Sequence, residues 1–344
     1  MKAVVKTGPI SGGLELVEME RPVPQPGEAL VAVTAAGICG TDVAIWQWKE
    51  AVVGQYRAEF PLVPGHEVGG RVVESSTGLF TPGTVVGINP QIVCRLCQFC
   101  VEGHQTLCVN RVFLGGGVNG GWAEFMCVPE SNLYALPEGT DPDLATLMEP
   151  LAVAAHAVLE RVQPEPGDVI VITGAGPIGL STLIFALDAG AAQVFVTGIS
   201  ADASRLDLVK QLGGIPINVD EVDPVAVVRH AQADGADIVY ETSGNHVVFS
   251  QALSLSRRGG RVALIGLAAM ATEVVTTPIV LRELTVSGSR GYNETTWNKL
   301  VRVLPRIQDQ ALKLISHRLP LDRFDDALNM VAGAANVRKI LLAP

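Results

Sequence analysis

The stretch DVIVITGAGPIG, residues 168–179, decides the fold. Its first half is a β-branched apolar run. Gly174-x-Gly176-x-x-Gly179 follows and opens into the apolar LSTLIFALDAG. A lone G-x-G-x-x-G says little, but one that follows a strand and starts a helix is the dinucleotide fingerprint. Its glycines permit a tight turn and a close approach of backbone to pyrophosphate, which sits at the helix N-terminus. Downstream the pattern alternates: QVFVTGI (193–199), ASRLDLVKQLG (203–213), DIVYETSG (237–244), VVFSQALSLS (247–256) and RVALIGL (261–267). This is the α/β signature of a doubly wound parallel sheet.

Val169–Leu187 carries no charge and is nearly long enough to span a bilayer. Three glycines and a proline in its middle read instead as strand, tight turn and helix. At 344 residues the chain is expected to form two domains. Lys and Arg number 25 against 35 Asp and Glu, without a basic block, so neither nucleic acid nor an anionic membrane is an expected partner. The opening MKAVVKTGPISGGLEL lacks the apolar core of a signal peptide, so a cytoplasmic location with reduced thiols is expected.

Four of the six cysteines lie in CRLCQFCVEGHQTLC, residues 94–108. A reducing compartment disfavours disulfides, and the regular spacing disfavours chance. Cys94, Cys97, Cys100 and Cys108 suit tetrahedral Zn2+ in a closed, structural shell. An iron–sulfur cluster is the other soft-ligand reading. A closed shell leaves no position for chemistry, so the chemistry lies elsewhere.

GICGTD places Cys39 beside Thr41 and Asp42, PGHEVGG places His66 next to Glu67, and LMEPLA carries Glu149. Singly these read as a small buried thiol, a core histidine and surface charges. Together they offer a thiolate, an imidazole and one or two carboxylates, a set for a zinc with an exchangeable position. Asp42 is placed to orient the histidine.

With these motifs in hand the chain resembles the zinc-dependent medium-chain dehydrogenase/reductase superfamily over essentially its full length. GHEVGG, the cysteine loop, MEPLAVAAH, the fingerprint and a closing VRKILLAP occur in the family's order. GICGTDVAIWQW and EPLA point to the polyol and threonine dehydrogenase branch. The resemblance implies a β-rich GroES-like catalytic domain over 1–152 and 290–344 and a Rossmann domain over 153–289. It implies catalytic zinc on Cys39, His66 and either Glu67 or Glu149, and structural zinc on the four clustered cysteines, hence two Zn2+ per chain. Gly174, Gly176, Pro177, Ile178, Gly179, Gly198, Ser200, Arg205, Gly266, Leu267 and Arg290 are the implied cofactor-side residues, with Glu294 in the neighbouring segment. The implied reaction moves hydride between an alcohol, polyol or amino alcohol and a nicotinamide, with Thr41 passing the hydroxyl proton outward. A homotetramer or homodimer is implied as well. Catalytically silent members of the superfamily supply the alternative reading, which the intact ligand set disfavours.

Two positions depart from the family pattern. The acidic residue that selects NAD is expected 24 positions after Gly174, where Gly198 stands. This predicts that NADP serves at least as well as NAD, with Ser200 and Arg205 meeting the 2′-phosphate. GISADASRL is about two residues longer than the corresponding turn of its relatives, so Asp202 is the fallback ribose ligand. The second departure is Ala44, where relatives place a relay histidine; His156 is the nearest alternative by motif. Trp46, Trp48 and Tyr56 are candidate pocket aromatics.

Overall fold

The structure, a computed structural model, describes residues 1–56, 58–268, 270–333 and 337–344. The chain forms two compact units, Met1–Glu149 with Asn293–Pro344, and Pro150–Tyr292.

The second unit is built on six parallel strands: Val169–Thr173, Gln193–Gly198, Ile215–Asn218, Ala236–Glu241, Ser256–Leu264 and Thr285–Gly288. Numbered along the chain, they lie in the spatial order 3-2-1-4-5-6. That order reverses beside the first strand, which is where doubly wound sheets bind dinucleotides. The first strand, VIVIT, is buried throughout, as expected of a parallel strand covered by helices. Val171, Phe195, Val239 and Val262 form the centre of its core.

The first unit is mostly antiparallel. Its main sheet runs Ile315–Pro320, Lys339–Ala343, Glu28–Gly37, Glu67–Ser75, Val85–Ile88 and Leu133–Ala135, with Phe125–Pro129 also paired to Glu28–Gly37. Trp122, Val31, Ile88 and Ile340 belong to its core. Register positions the chemistry: Gly37 pairs with Glu67 on one side and Leu341 on the other. Cys39, His66 and Lys339, all near these strand ends, therefore gather at one end of the sheet. A short ladder between Gln91–Ile92 and Val112–Phe113 closes the loop that carries the four clustered cysteines. No helix among the described residues is long and apolar enough to cross a membrane.

Candidate metal and dinucleotide sites

Among the described residues two groups can hold a metal, and in each the ligand atoms lie within 4.8 Å of one another: Cys94, Cys97, Cys100 and Cys108, and Cys39, His66 and Glu67. In the first group Cys94 Sγ lies 4.0 Å from Cys100 Sγ and 3.5 Å from Cys108 Sγ. All four thiols are free, and these separations are far beyond a disulfide bond. A tetrahedron with Zn–S bonds of about 2.3 Å has edges of about 3.8 Å, so the spacing fits one ion and leaves no room for a multi-iron core. The N–H groups of Leu96 and Cys97 lower the Cys94 pKa to about 6, whereas burial pushes the Cys100 thiol up to about 12. A central cation removes that disparity by stabilising every thiolate together.

In the second group Cys39 precedes the helix Gly40–Gln47 and takes an extended conformation there. Asp42, in that helix's first turn, accepts the Cys39 N–H through Oδ2 at 2.8 Å, and its Oδ1 lies 3.3 Å from His66 Nδ1. Burial opposes a charge on His66, but Asp42 and the Cys39 thiol overcome it and raise the histidine's pKa well above the ordinary value. Glu67 is buried and accepts from Lys339 Nζ on both carboxylate oxygens at 2.6 Å. Lys339 also donates to the Ile38 carbonyl at 3.1 Å. Burial opposes the Lys339 charge, yet Glu67 above all, then Cys39, raises its pKa. Glu149, on the helix Leu144–His156, is buried and acts on Lys339 through its charge, but it is not in the ligand group.

Around this centre Thr41 is hydrogen-bonded to Tyr56, whose ring stacks on Phe113 at 5.3 Å between centroids. Phe113 in turn lies 5.2 Å from the His66 ring. Trp48 packs edge-on to Phe60, and the Trp46 carbonyl accepts from Lys6 Nζ at 3.3 Å and from the Gly12 N–H. Ala44 is buried. His156 lies in the second unit, with Nδ1 2.9 Å from Glu160 Oε2 one helical turn on.

In the second unit Gly174 has φ +100°, a left-handed conformation that favours glycine. A β-carbon on Gly179 would lie 1.9 Å from the Gly174 carbonyl oxygen, whereas one on Gly176 would meet nothing within 4 Å. Gly179 thus serves the packing of turn on helix, and Gly176 faces open space. Pro177 and Ile178 form the first turn of the helix Pro177–Asp188. At the end of the fourth strand the buried Glu241 accepts from the N–H groups of Ser243 and Gly244, and the Glu241 carbonyl accepts from the Gly266 N–H. This holds the Gly266 turn, with Leu267 exposed, against the Glu241–Gly244 turn. Gly198 ends the second strand, and Ser200 and Arg205 lie in the following turn and helix. Arg290 is exposed, and Glu294 pairs with Arg95 of the cysteine loop at 2.6 Å. Sequence reasoning missed Lys339, Phe113 and Glu241; the one available signal was a lone lysine opening the apolar strand KILLA.

Residues 25–138 match the alcohol dehydrogenase GroES-like domain, and residues 177–306 match the zinc-binding dehydrogenase family. An L-threonine 3-dehydrogenase of Saccharopolyspora erythraea is 35% identical over 99% of this chain and 98% of its own. The 2R,3R-butanediol dehydrogenase of Bacillus subtilis superposes with a TM-score of 0.90 at 26% identity, over 100% of this chain and 99% of its own. A zinc-binding dehydrogenase of Sinorhizobium meliloti 1021, solved with NADP, superposes at 0.88 with 29% identity over the same shares. Across its whole length the chain therefore belongs to the zinc-dependent medium-chain dehydrogenase/reductase, or alcohol dehydrogenase, superfamily.

Proposed function

We propose that this chain catalyses hydride exchange between a secondary alcohol, polyol or amino alcohol and a nicotinamide dinucleotide. The observation that carries the reading is the convergence of Cys39, His66 and Glu67 within 4.8 Å in a chain that also holds a 3-2-1-4-5-6 sheet with its glycine turn. When bound, zinc would supply Lewis acidity toward the substrate oxygen and the nicotinamide ring would serve as the hydride acceptor.

The chain's own residues do the rest. Cys39 and His66 would hold the metal as thiolate and neutral imidazole. Asp42, beside Nδ1, orients the ring and leaves Nε2 to ligate. Lys339 restrains Glu67 within the ligand group, and Glu67 or Glu149 would supply the carboxylate ligand. Thr41 Oγ1 takes the hydroxyl proton outward, and its partner Tyr56 holds that hydroxyl in place. Ala44 contributes nothing to the path, and His156 is engaged with Glu160 as a helix-packing residue.

The first unit is the catalytic, GroES-like domain and the second the dinucleotide domain. There Gly174, Gly176, Pro177, Ile178 and Gly179 hold the pyrophosphate, with Gly266, Leu267 and Arg290 on the cofactor side. The cysteine loop holds a second, structural zinc, supported by sulfur spacings of 3.5 and 4.0 Å. Names of relatives, L-threonine 3-dehydrogenase and 2R,3R-butanediol dehydrogenase, favour an alcohol bearing a polar group on the adjacent carbon. A cytoplasmic homotetramer or homodimer completes the proposal. The test is a turnover screen of vicinal diols, amino alcohols and their ketones with NAD and with NADP; no oxidation or reduction of any member by zinc-loaded protein overturns it.

A further inference from the structure

Gly198 alone argues for NADP, but the turn after it argues the other way. In dinucleotide folds an acidic side chain at the end of the second strand bonds the ribose 2′-hydroxyl and repels a 2′-phosphate. Here the chain passes Gly198, runs through a single 3-10 turn, Ser200–Asp202, and brings Asp202 back. A β-carbon on Gly198 would lie 3.3 Å from both Cβ and Oδ2 of Asp202. The Asp202 carboxylate therefore stands within a side chain's length of the place a carboxylate on residue 198 would take. It is fixed there from two sides, by the Ile199 N–H at 3.2 Å and by Arg205 at 2.7 Å.

The two groups that would greet a 2′-phosphate already serve carboxylates. The Arg205 guanidinium is paired with Asp202. The Ser200 N–H donates to Asp220 Oδ2 at 2.8 Å, and the Ser200 hydroxyl accepts from Asn218 at 3.1 Å. A 2′-phosphate would meet two carboxylates and one committed guanidinium, whereas a ribose hydroxyl needs only an acceptor.

Resting on the dehydrogenase reading above, we infer that Asp202, folded back into the space left by Gly198, is the residue that makes this enzyme select NAD over NADP. One unit charge facing a phosphate a few Å away at a partly exposed site is worth on the order of 10^2-fold in relative affinity.

The experiment is titration of the zinc-loaded protein with NADH and with NADPH, read by quenching of tryptophan fluorescence, so that no substrate is needed. Asp202→Asn keeps an acceptor for the Ile199 N–H and removes the charge; thermal melting checks that it folds. Expected is an NADH preference of about 10^2 in the parent protein that falls at least tenfold in Asp202→Asn, chiefly through tighter NADPH binding. Because loss of a turn-capping group can unfold this corner, a second variant pairs Asp202→Ser with Gly198→Asp. That variant puts the carboxylate in the common position and should restore the preference. A parent protein that binds NADPH as tightly as NADH overturns the inference and leaves the dehydrogenase reading standing, as does an unchanged preference in folded Asp202→Asn. Failure to bind either dinucleotide overturns both.

Discussion

Replacing Lys339 by Met isolates the buried ion pair with Glu67, which lies in the candidate ligand group with Cys39 and His66. Lys339 and Glu67 are 3% and 1% exposed, and the contact has two 2.6 Å hydrogen bonds plus one to the Ile38 carbonyl. Methionine preserves most of the packing volume but leaves Glu67 as a buried carboxylate without its cation, with the charges of Cys39 and Glu149 nearby. Breaking such a pair costs about 3–5 kcal/mol. A zinc ion held beside Glu67 would screen part of the bare charge, which sets the expectation for metal-loaded protein near the lower end, about 3 kcal/mol. In a unit of about 200 residues that corresponds to a fall in Tm of roughly 6–12 °C. The assay is thermal and urea unfolding followed by circular dichroism in buffer with zinc, on four proteins: parent, Lys339→Met, Glu67→Gln and the double variant. Each single variant should be strongly destabilised, and the double variant should lose less than the sum by about 2 kcal/mol, because it strands neither charge. A Lys339→Met protein within about 1 kcal/mol of the parent, or losses that simply add, would refute the assignment of this pair as a mutual anchor.

The remaining predictions concern the metals and the proton. Metal analysis should return about two zinc ions per chain, and one zinc, or iron, would remove the structural assignment of the cysteine loop. Cys97→Ser should lower stability and soluble yield, since a closed metal shell contributes folding free energy, whereas Cys39→Ser should abolish turnover in a protein that still melts cooperatively. Thr41→Ala should cost at least about 10^2 in alcohol oxidation at neutral pH, recovering in part as the pH rises and hydroxide replaces the missing station; an unchanged pH–rate profile takes Thr41 out of the path. His156→Asn should change the rate little, because the ring is already held by Glu160; a collapse of rate with the fold intact would make it the end of the relay.

The fold class was legible because its evidence is local and periodic. A buried apolar strand, a glycine turn and a helix follow one another within 20 residues at 169–188, and the strand–helix alternation repeats four more times before a sixth strand. The four clustered cysteines were legible for the same reason: 15 residues of chain, closed by a two-residue ladder, suffice to bring their sulfurs together. Cys39 and His66 are 27 positions apart, and their meeting depends on the register in which Gly37 pairs with Glu67. Spacing alone carries no trace of that register; the residue types had to suggest it. Lys339 lies 272 residues from Glu67, and only the addition of the C-terminal strand beside Glu28–Gly37 joins them. The lone lysine that opens the apolar KILLA hints at a buried partner, but nothing in VRKILLAP says which residue that partner is.

Asp202 shows a different limit. Counting from the fingerprint lands on Gly198 and finds no acid, because a count follows the chain, whereas the ribose meets whatever side chain reaches that point in space. A turn that folds back on its strand is enough to separate the two. A missing carboxylate at a counted position is therefore weak evidence about cofactor choice wherever the following turn can fold back. A carboxylate 3.3 Å from the absent β-carbon, with the nearby cation already paired to it, is stronger evidence for the opposite choice.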